Sequence, residues 1–520
     1  MIRATHFPAL AAGLALLSPL AARAQTAVPA SLTVQVDKPG AAVNKNMYGL
    51  FFEDINFAAD GGLYPELVKN KSFETDARLM GWKALQGAAN LDAYTVRNEQ
   101  GLTPANAHYV RLTTRPGAPG EAGIENEGFR GMGVKQGGEY TLSFYARRGT
   151  GAINGLTARL IGEKGEALGE VAVSGFTADW KQYSVVLRAT GTHNKAHLKL
   201  VLNGTGTVDL DVISLFPKDT WNQRPNGLRP DLVQLLKDMQ PGFLRFPGGC
   251  IVEGRTLSER YQWKETIGDV AARSPLVNRW NMEFRHRSTP DYYQSFGLGF
   301  FEYFQLAEDI GAEPLPILNV GMACQYNSGE LAPMGTASAP KGGPNAPASA
   351  STGDPSLDVF IQDALDLIEF ANGPATSTWG AKRVAMGHPA PFNLQMLGIG
   401  NEQWGPQYLE RYEPFAKAVK AKYPKIAIVS SAGPSPDGEL FDKASKRLSE
   451  LKAEYVDEHY YAKADWFRAH VDRYDKYPRT GPKIFAGEYA AQSVDTGSPL
   501  NKNTWDCAIS EAAFMTGLER

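Results

Sequence analysis

Seven short runs of strand length, most of them nearly continuous in apolar residues, recur along this chain, and amphipathic stretches of helical period lie between and after them. The runs are residues 47–54, 243–250, 314–321, 397–402, 425–431, 455–461 and 484–488. The helical stretches are 228–239, 296–310, 358–372, 408–422, 441–451 and 505–518. A strand that is apolar on both faces belongs to a parallel sheet covered on both sides. Repeated strand–helix alternation closes such a sheet into a barrel. The expected fold is α/β: a (β/α)8 TIM barrel with its eighth strand missing from this chain, an inserted β-sandwich and part of a second β-domain. An eighth strand and further β-structure are expected to follow residue 520, because an open barrel leaves two unpaired edges.

The insert is predicted at 81–217, where short alternating segments are separated by glycine-containing turns and long helical patterns are missing. Residues 31–37 also alternate, so 25–46 is expected to hold the N-terminal strand or strands of the β-domain. A first barrel unit spans 47–80, with a short helix predicted over 64–73, and the catalytic barrel resumes at 218–520. Residues 1–24 have the form of a secretory signal peptide: Arg3, an apolar run over 7–20, then Ala22-Arg23-Ala24. That predicts a periplasmic or secreted protein. The Ala/Pro/Gly/Ser-rich stretch 322–356 leaves the end of a strand and is expected to wall a cleft.

A barrel's chemistry sits at the carboxyl ends of its strands. Two runs end there in a carboxylate: Gly398-Ile-Gly-Asn-Glu402 and Gly487-Glu488. Paired carboxylates at strand ends are what glycoside hydrolysis needs. A formal net charge of −3 offers no basic surface, so neither nucleic acid nor a membrane is expected as a partner. Three cysteines, Cys250, Cys324 and Cys507, are too few for a disulfide framework. Buried free thiols are expected, with a Cys250–Cys324 bridge as the alternative. No zinc spacing, phosphate-cradling loop or serine elbow is present in the sequence, so no cofactor and no metal is expected.

Five motifs in one order carry a resemblance: Tyr-Gly-Leu-Phe-Phe-Glu-Asp-Ile-Asn at 48–56, Asp-Gly-Gly-Leu-Tyr-Pro-Glu-Leu at 60–67, Leu-Arg-Phe-Pro-Gly-Gly at 244–249, and the two glutamate motifs above. The chain resembles the α-L-arabinofuranosidases of glycoside hydrolase family 51, with the insert similar to a carbohydrate-binding module. The resemblance implies retaining hydrolysis of terminal arabinofuranosyl linkages in arabinose-containing polysaccharides or oligosaccharides, in a family whose members often form homo-oligomers. It implies Glu402 as general acid/base, which calls for a raised pKa, and Glu488 as nucleophile, which calls for donors or a cation. Asn401 is expected on the sugar 2-hydroxyl and Glu53 on substrate hydroxyls. An ion pair with Arg245 is the structural reading of Glu53. Tyr461, rather than Tyr460, is expected to reach the nucleophile. His459 shares its face and reads equally well as a core histidine. Cys250 stands where part of the family has a substrate-contacting amide, a role Asn281 is a candidate to take over. Trp280, Trp404 and Trp466 are candidate sugar platforms or plain packing. The competing functions are a retaining barrel acting on xylosides or β-glucans, and a carbohydrate-binding protein without turnover.

Overall fold

The computed structural model describes residues 31, 33–40, 42–85, 90–117, 120–281, 292–334, 355–492 and 503–519. The segment assigned as a signal peptide and most of the 322–356 stretch lie outside the described residues. The chain divides into a unit up to Val43 and a unit from Asn44 onward. In the first, the strand predicted over 31–37 does not form. Lys38 N closes a turn on Gln35 O at 3.0 Å, and Val34 and Val36 are 69% and 87% exposed. Alternating valines become a strand only where a neighbour takes their backbone hydrogen bonds and covers one face, and no described residue of this unit does so.

In the second unit the seven predicted strands form one parallel sheet in chain order: β1 (Leu50–Phe51), β2 (Phe243–Phe246), β3 (Glu313–Leu318), β4 (Met396–Ile399), β5 (Ala427–Ser431), β6 (Tyr455–Ala462) and β7 (Lys483–Ala491). Together they make a nearly closed barrel. Their continuous apolar texture follows from having two buried faces. Outward, Leu244, Phe246, Leu397, Ile399, Ile428 and Val456 pack on helical residues such as Phe300, Phe304, Leu367, Phe415 and Leu448. Inward, Leu315, Ile317 and Val429 form a small apolar plug with Val252. The polar cluster described below sits around that plug at the carboxyl ends of the strands.

Between β1 and β2 lie two antiparallel sheets. One orders Lys181–Arg188, Glu139–Gly151, Gly206–Pro217, Tyr109–Thr114 and Leu91–Arg97; the other is centred on His193–Asn203. Their inner faces share one core, including Leu142, Phe144, Leu198, Leu200, Leu210 and Leu215. The helix predicted over 64–73 is absent. That segment is irregular, with Asn70 and Phe73 at positive φ (54° and 58°), and its apolar residues serve two cores. Tyr64 packs in the barrel core, whereas Val68 and Phe73 enter the sandwich core. Glu66 is buried and accepts from Ser214 Oγ at 2.6 Å and Leu215 N at 3.1 Å. The connector therefore belongs to the sandwich as much as to the barrel. Phe73→Ala, which empties a fully buried ring site, is expected to cost about 3–5 kcal/mol. Chemical denaturation followed by tryptophan fluorescence checks this.

Candidate active site

The site is assembled where β2, β4, β6 and β7 end. Strand β6 alternates strictly. Asp457, His459 and Tyr461 turn into the barrel mouth. Glu458 and Tyr460 turn outward, where both meet Tyr474, and Glu458 also meets Arg473 and Tyr477. Strand β7 is different. Phe485 pairs with Asp457 and faces inward, so strict alternation would send Glu488 outward. The register shifts between these pairs: the four residues of β7 from Phe485 to Glu488 span the three of β6 from Asp457 to His459. This bulge returns Glu488 to the interior. It also carries Gly487, whose N donates to Asp457 Oδ1 at 2.8 Å and where an added Cβ would lie 2.3 Å from that oxygen.

Arg245, fully buried on β2, organises the cluster. Its Nη1 donates to Glu488 Oε1 at 2.9 Å and to Gly248 O at 3.2 Å; its Nη2 donates to Asn401 Oδ1 at 2.8 Å and Asp457 Oδ2 at 3.4 Å. The ion pair considered for Glu53 is thus made with Glu488 instead. Glu53 accepts from Ile251 N at 3.1 Å. Tyr461 donates its hydroxyl to Glu488 Oε2 at 2.9 Å, which distinguishes it from Tyr460. Gly249 lets Glu488 approach, since a Cβ there would stand 2.7 Å from its Oε1.

Glu402 follows β4 with a left-handed backbone, φ 51°. Its Oε1 meets His459 Nδ1 at 3.0 Å, and its Oε2 meets the Cys250 thiol at 3.7 Å. One carboxyl oxygen of Glu402, one of Glu488 and a ring nitrogen of His459 all lie within 4.8 Å of one another. His459 Nε2 meets Asp457 Oδ2 at 3.2 Å. His459 is therefore part of the cluster and not simply a core histidine.

Four buried carboxyls (Glu253, Glu402, Asp457 and Glu488) and the half-buried Glu53 cluster about Arg245 and His459. They cannot all ionise together. Burial drives Glu253 well above the carboxylate range. Burial and the Glu488 charge push Glu53 up to about 8. Burial works against charge on His459, yet Asp457 and Glu488 lift it to about 10, so the ring is an imidazolium at neutral pH. Burial also raises Glu402, but the His459 hydrogen bond and charge outweigh it and hold that carboxyl low. Burial raises Glu488, with His459 and Arg245 pulling the other way. A raised Glu402 was expected from its assigned role. Its proton instead sits next door, on His459.

The remaining sequence candidates separate. Asn401 also donates from Nδ2 to Glu253 Oε2 at 2.9 Å, so it bridges Arg245 and Glu253. Trp404 is half-buried at the rim against exposed Tyr326, ring centroids 5.1 Å apart. Trp466 belongs to the outer layer with Tyr460, Phe467 and Phe514, which is the packing reading of the two. Asn281 accepts from Tyr292 N and is structural. Cys250 and Cys324 are unbridged buried thiols, so the alternative Cys250–Cys324 bridge is not formed. The thiols of Cys250 and Cys324 are in hydrogen-bond contact, and that bond, with Arg279, lowers Cys324 to about 6. Arg245 and Asp457 were not singled out as site residues. For Arg245 the signal was a lone charge inside an otherwise apolar strand; for Asp457 it was the face it shares, two residues apart, with His459 and Tyr461.

Tyr461→Phe removes one hydroxyl from Glu488 and leaves the ring, itself 46% exposed, in place. The loss of a hydrogen bond to a charged group predicts about a ten- to hundredfold fall in kcat/KM. Steady-state kinetics beside an unchanged melting temperature check this.

Fold and site together define a parallel barrel with two close glutamates, the arrangement in which glycosidic bonds are cleaved by paired carboxyls. Residues 235–479 match the family model described as "Alpha-L-arabinofuranosidase 1 domain". An extracellular exo-alpha-L-arabinofuranosidase from Streptomyces chartreusis is 40% identical over 99% of this chain and 58% of its own. Alpha-L-arabinofuranosidase 1 of Arabidopsis thaliana is 34% identical over 94% of this chain and 67% of its own. A solved arabinose-bound family 51 α-L-arabinofuranosidase superposes with a TM-score of 0.77 at 30% identity, over 93% of this chain and 74% of that one. The chain belongs to glycoside hydrolase family 51, the α-L-arabinofuranosidases, and spans 58% of the length of the Streptomyces relative. No helix among the described residues is long and apolar enough to cross a membrane.

Proposed function

We propose that this chain carries the catalytic barrel of a retaining α-L-arabinofuranosidase that removes terminal arabinofuranosyl residues from arabinose-containing plant polysaccharides or oligosaccharides. The observation that carries the reading is the spacing of Glu402 and Glu488, whose nearest carboxyl oxygens lie within 4.8 Å. Retaining enzymes hold the pair about 5–5.5 Å apart, whereas inversion needs about 6.5–9.5 Å to admit a water. Glu488, aimed by Arg245 and Tyr461, attacks the anomeric carbon. Glu402 protonates the departing glycosidic oxygen as that bond breaks, which leaves arabinose esterified to Glu488. Water then attacks the same carbon, Glu402 takes its proton, and the ester bond to Glu488 breaks.

His459 takes part in both steps, a role supported by its contact with Glu402. The proton Glu402 delivers is drawn from the imidazolium 3.0 Å away and returned in the second step. Asn401 and Glu53 are assigned to sugar hydroxyls, Cys250 to the sugar face beside Glu402, and Trp404 with Tyr326 to a rim platform. The strands between Trp82 and Pro217 support residues 81–217 as an inserted module. The N-terminal 24 residues and the extracellular Streptomyces relative support export to the periplasm or beyond the cell.

Proton NMR of arabinan and arabinoxylan oligosaccharide digests tests this. L-Arabinose appearing first as the retained anomer supports the reading. The inverted anomer, or release of xylose or glucose alone, overturns it. Glu402→Ala is expected to keep the first step on aryl arabinosides with very good leaving groups and to accumulate glycosyl-enzyme by intact mass. On poor leaving groups it should lose about 10²–10⁴-fold. Equal inactivity on every leaving group with no intermediate would remove Glu402 from the role.

A further inference from the structure

We propose that Cys250, Glu253 and Cys324 form a binding site for a thiophilic divalent cation of the zinc and cadmium class, with Glu402 placed to serve as a fourth ligand. One ligand atom from each of the first three residues lies within 4.8 Å of the others, and all three side chains are buried. The Cys250 sulfur is 3.7 Å from Glu402 Oε2. Tetrahedral coordination with metal–sulfur bonds of about 2.3 Å and metal–oxygen bonds of about 2.0–2.2 Å sets ligand atoms about 3.5–3.8 Å apart. Closing the three-residue cluster onto an ion asks each of those side chains to move inward by about 1 Å or less. Glu402, outside the 4.8 Å group and touching it through Cys250, makes a larger move to complete the set.

The backbone is already fixed for this. Glu253 N and Gly254 N both donate to Cys250 O, at 3.2 and 3.1 Å. Cys324 N donates to Gly254 O at 3.0 Å, which ties the turn after β2 to the loop after β3. Asn319 Nδ2 holds the carbonyls of Val252 and Glu253 at 3.1 and 3.3 Å. Outer partners are in place as well. Asn401 Nδ2 orients Glu253 at 2.9 Å, and Arg279 Nη2 lies 3.7 Å from the Cys324 sulfur, as donors to ligands do in settled metal centres.

Two sulfurs select zinc or cadmium over magnesium or calcium, which take oxygen ligands. Binding takes both sulfurs as thiolates and Glu253 as a carboxylate, and every proton these groups still carry is released to solvent as the metal–ligand bonds form. No zinc spacing is visible along the chain because these ligands follow two strands far apart in it, β2 and β3.

Occupancy takes Glu402 out of proton transfer, so the ion acts as an inhibitor; this consequence, unlike the binding itself, rests on the function proposed above. Cadmium is the probe. Titrating the metal-free protein, with Cys507→Ser as background, should produce the ultraviolet cadmium–thiolate charge-transfer band with a stoichiometry of one per chain. The band should vanish in Cys324→Ser. Zinc should inhibit hydrolysis reversibly, with activity restored by EDTA, and Cys324→Ser should resist that inhibition. X-ray absorption on the zinc-loaded protein should show two sulfur neighbours, which covers the case in which Cys324→Ser fails to fold. No band, or a band that persists in folded Cys324→Ser, overturns the site. A band without inhibition overturns Glu402 as the fourth ligand. A band in a protein that never hydrolyses arabinosides upholds the site and overturns the functional reading.

Discussion

Glu488→Ala is expected to abolish turnover, by about 10⁴–10⁶-fold as for a lost member of a concerted site, with small anions restoring part of it. The cavity left by the carboxylate lies against Arg245 Nη1 and the Tyr461 hydroxyl, 2.9 Å from the former oxygens. Both are donors, so azide or formate should settle there and attack the anomeric carbon from the same face. The product of that attack, glycosyl azide or formate, carries inverted configuration because the second displacement is missing. Kinetics with and without azide, and NMR of the product, decide it. A variant that keeps substantial activity without added anion would remove Glu488 from the role.

Arg245→Met is expected to damage stability and activity together. The guanidinium is fully buried and serves Glu488, Asn401, Asp457 and the carbonyl of Gly248. Removing one member of a buried charged set strands the others, at a cost of about 3–5 kcal/mol. The activity loss should be at least as large as that of Tyr461→Phe, because three strand ends lose their common donor. Arg245→Lys should recover little, since one ammonium cannot reproduce the two-nitrogen fork toward Glu488 and Asn401. Differential scanning calorimetry and kcat for the pair of variants test this. Full rescue by lysine would show that charge alone, and not the fork, is what the site requires.

Much of the barrel was legible because a parallel strand needs two apolar faces, and each run that met this condition became a strand. The glutamates were legible because they end such runs. The connector over 64–73 was misread because its apolar spacing fits one helix face, whereas Tyr64 and Val68 belong to different cores. The 31–37 alternation was misread because period two marks a strand only when a partner is present. In the site, Tyr461 and His459 followed from alternation along β6, but the β7 bulge that turns Glu488 inward has no sequence period to betray it. The proton balance was invisible for a related reason. It depends on which cation each carboxyl meets, and Arg245, from β2, meets Glu488 rather than Glu53.

Glu402 holds a left-handed backbone at φ 51°, a conformation that costs an ordinary L-residue about 1–2 kcal/mol and glycine or asparagine much less. It is also a carboxyl confined among four others. On both counts the chain would fold more comfortably with a different residue at that position. A laboratory evolution scheme that rewards heat resistance alone would therefore tend to discard Glu402, and hardier progeny would emerge inert. Thermal hardening of this scaffold has to be scored on turnover in every round, or on positions well away from the mouth of the barrel.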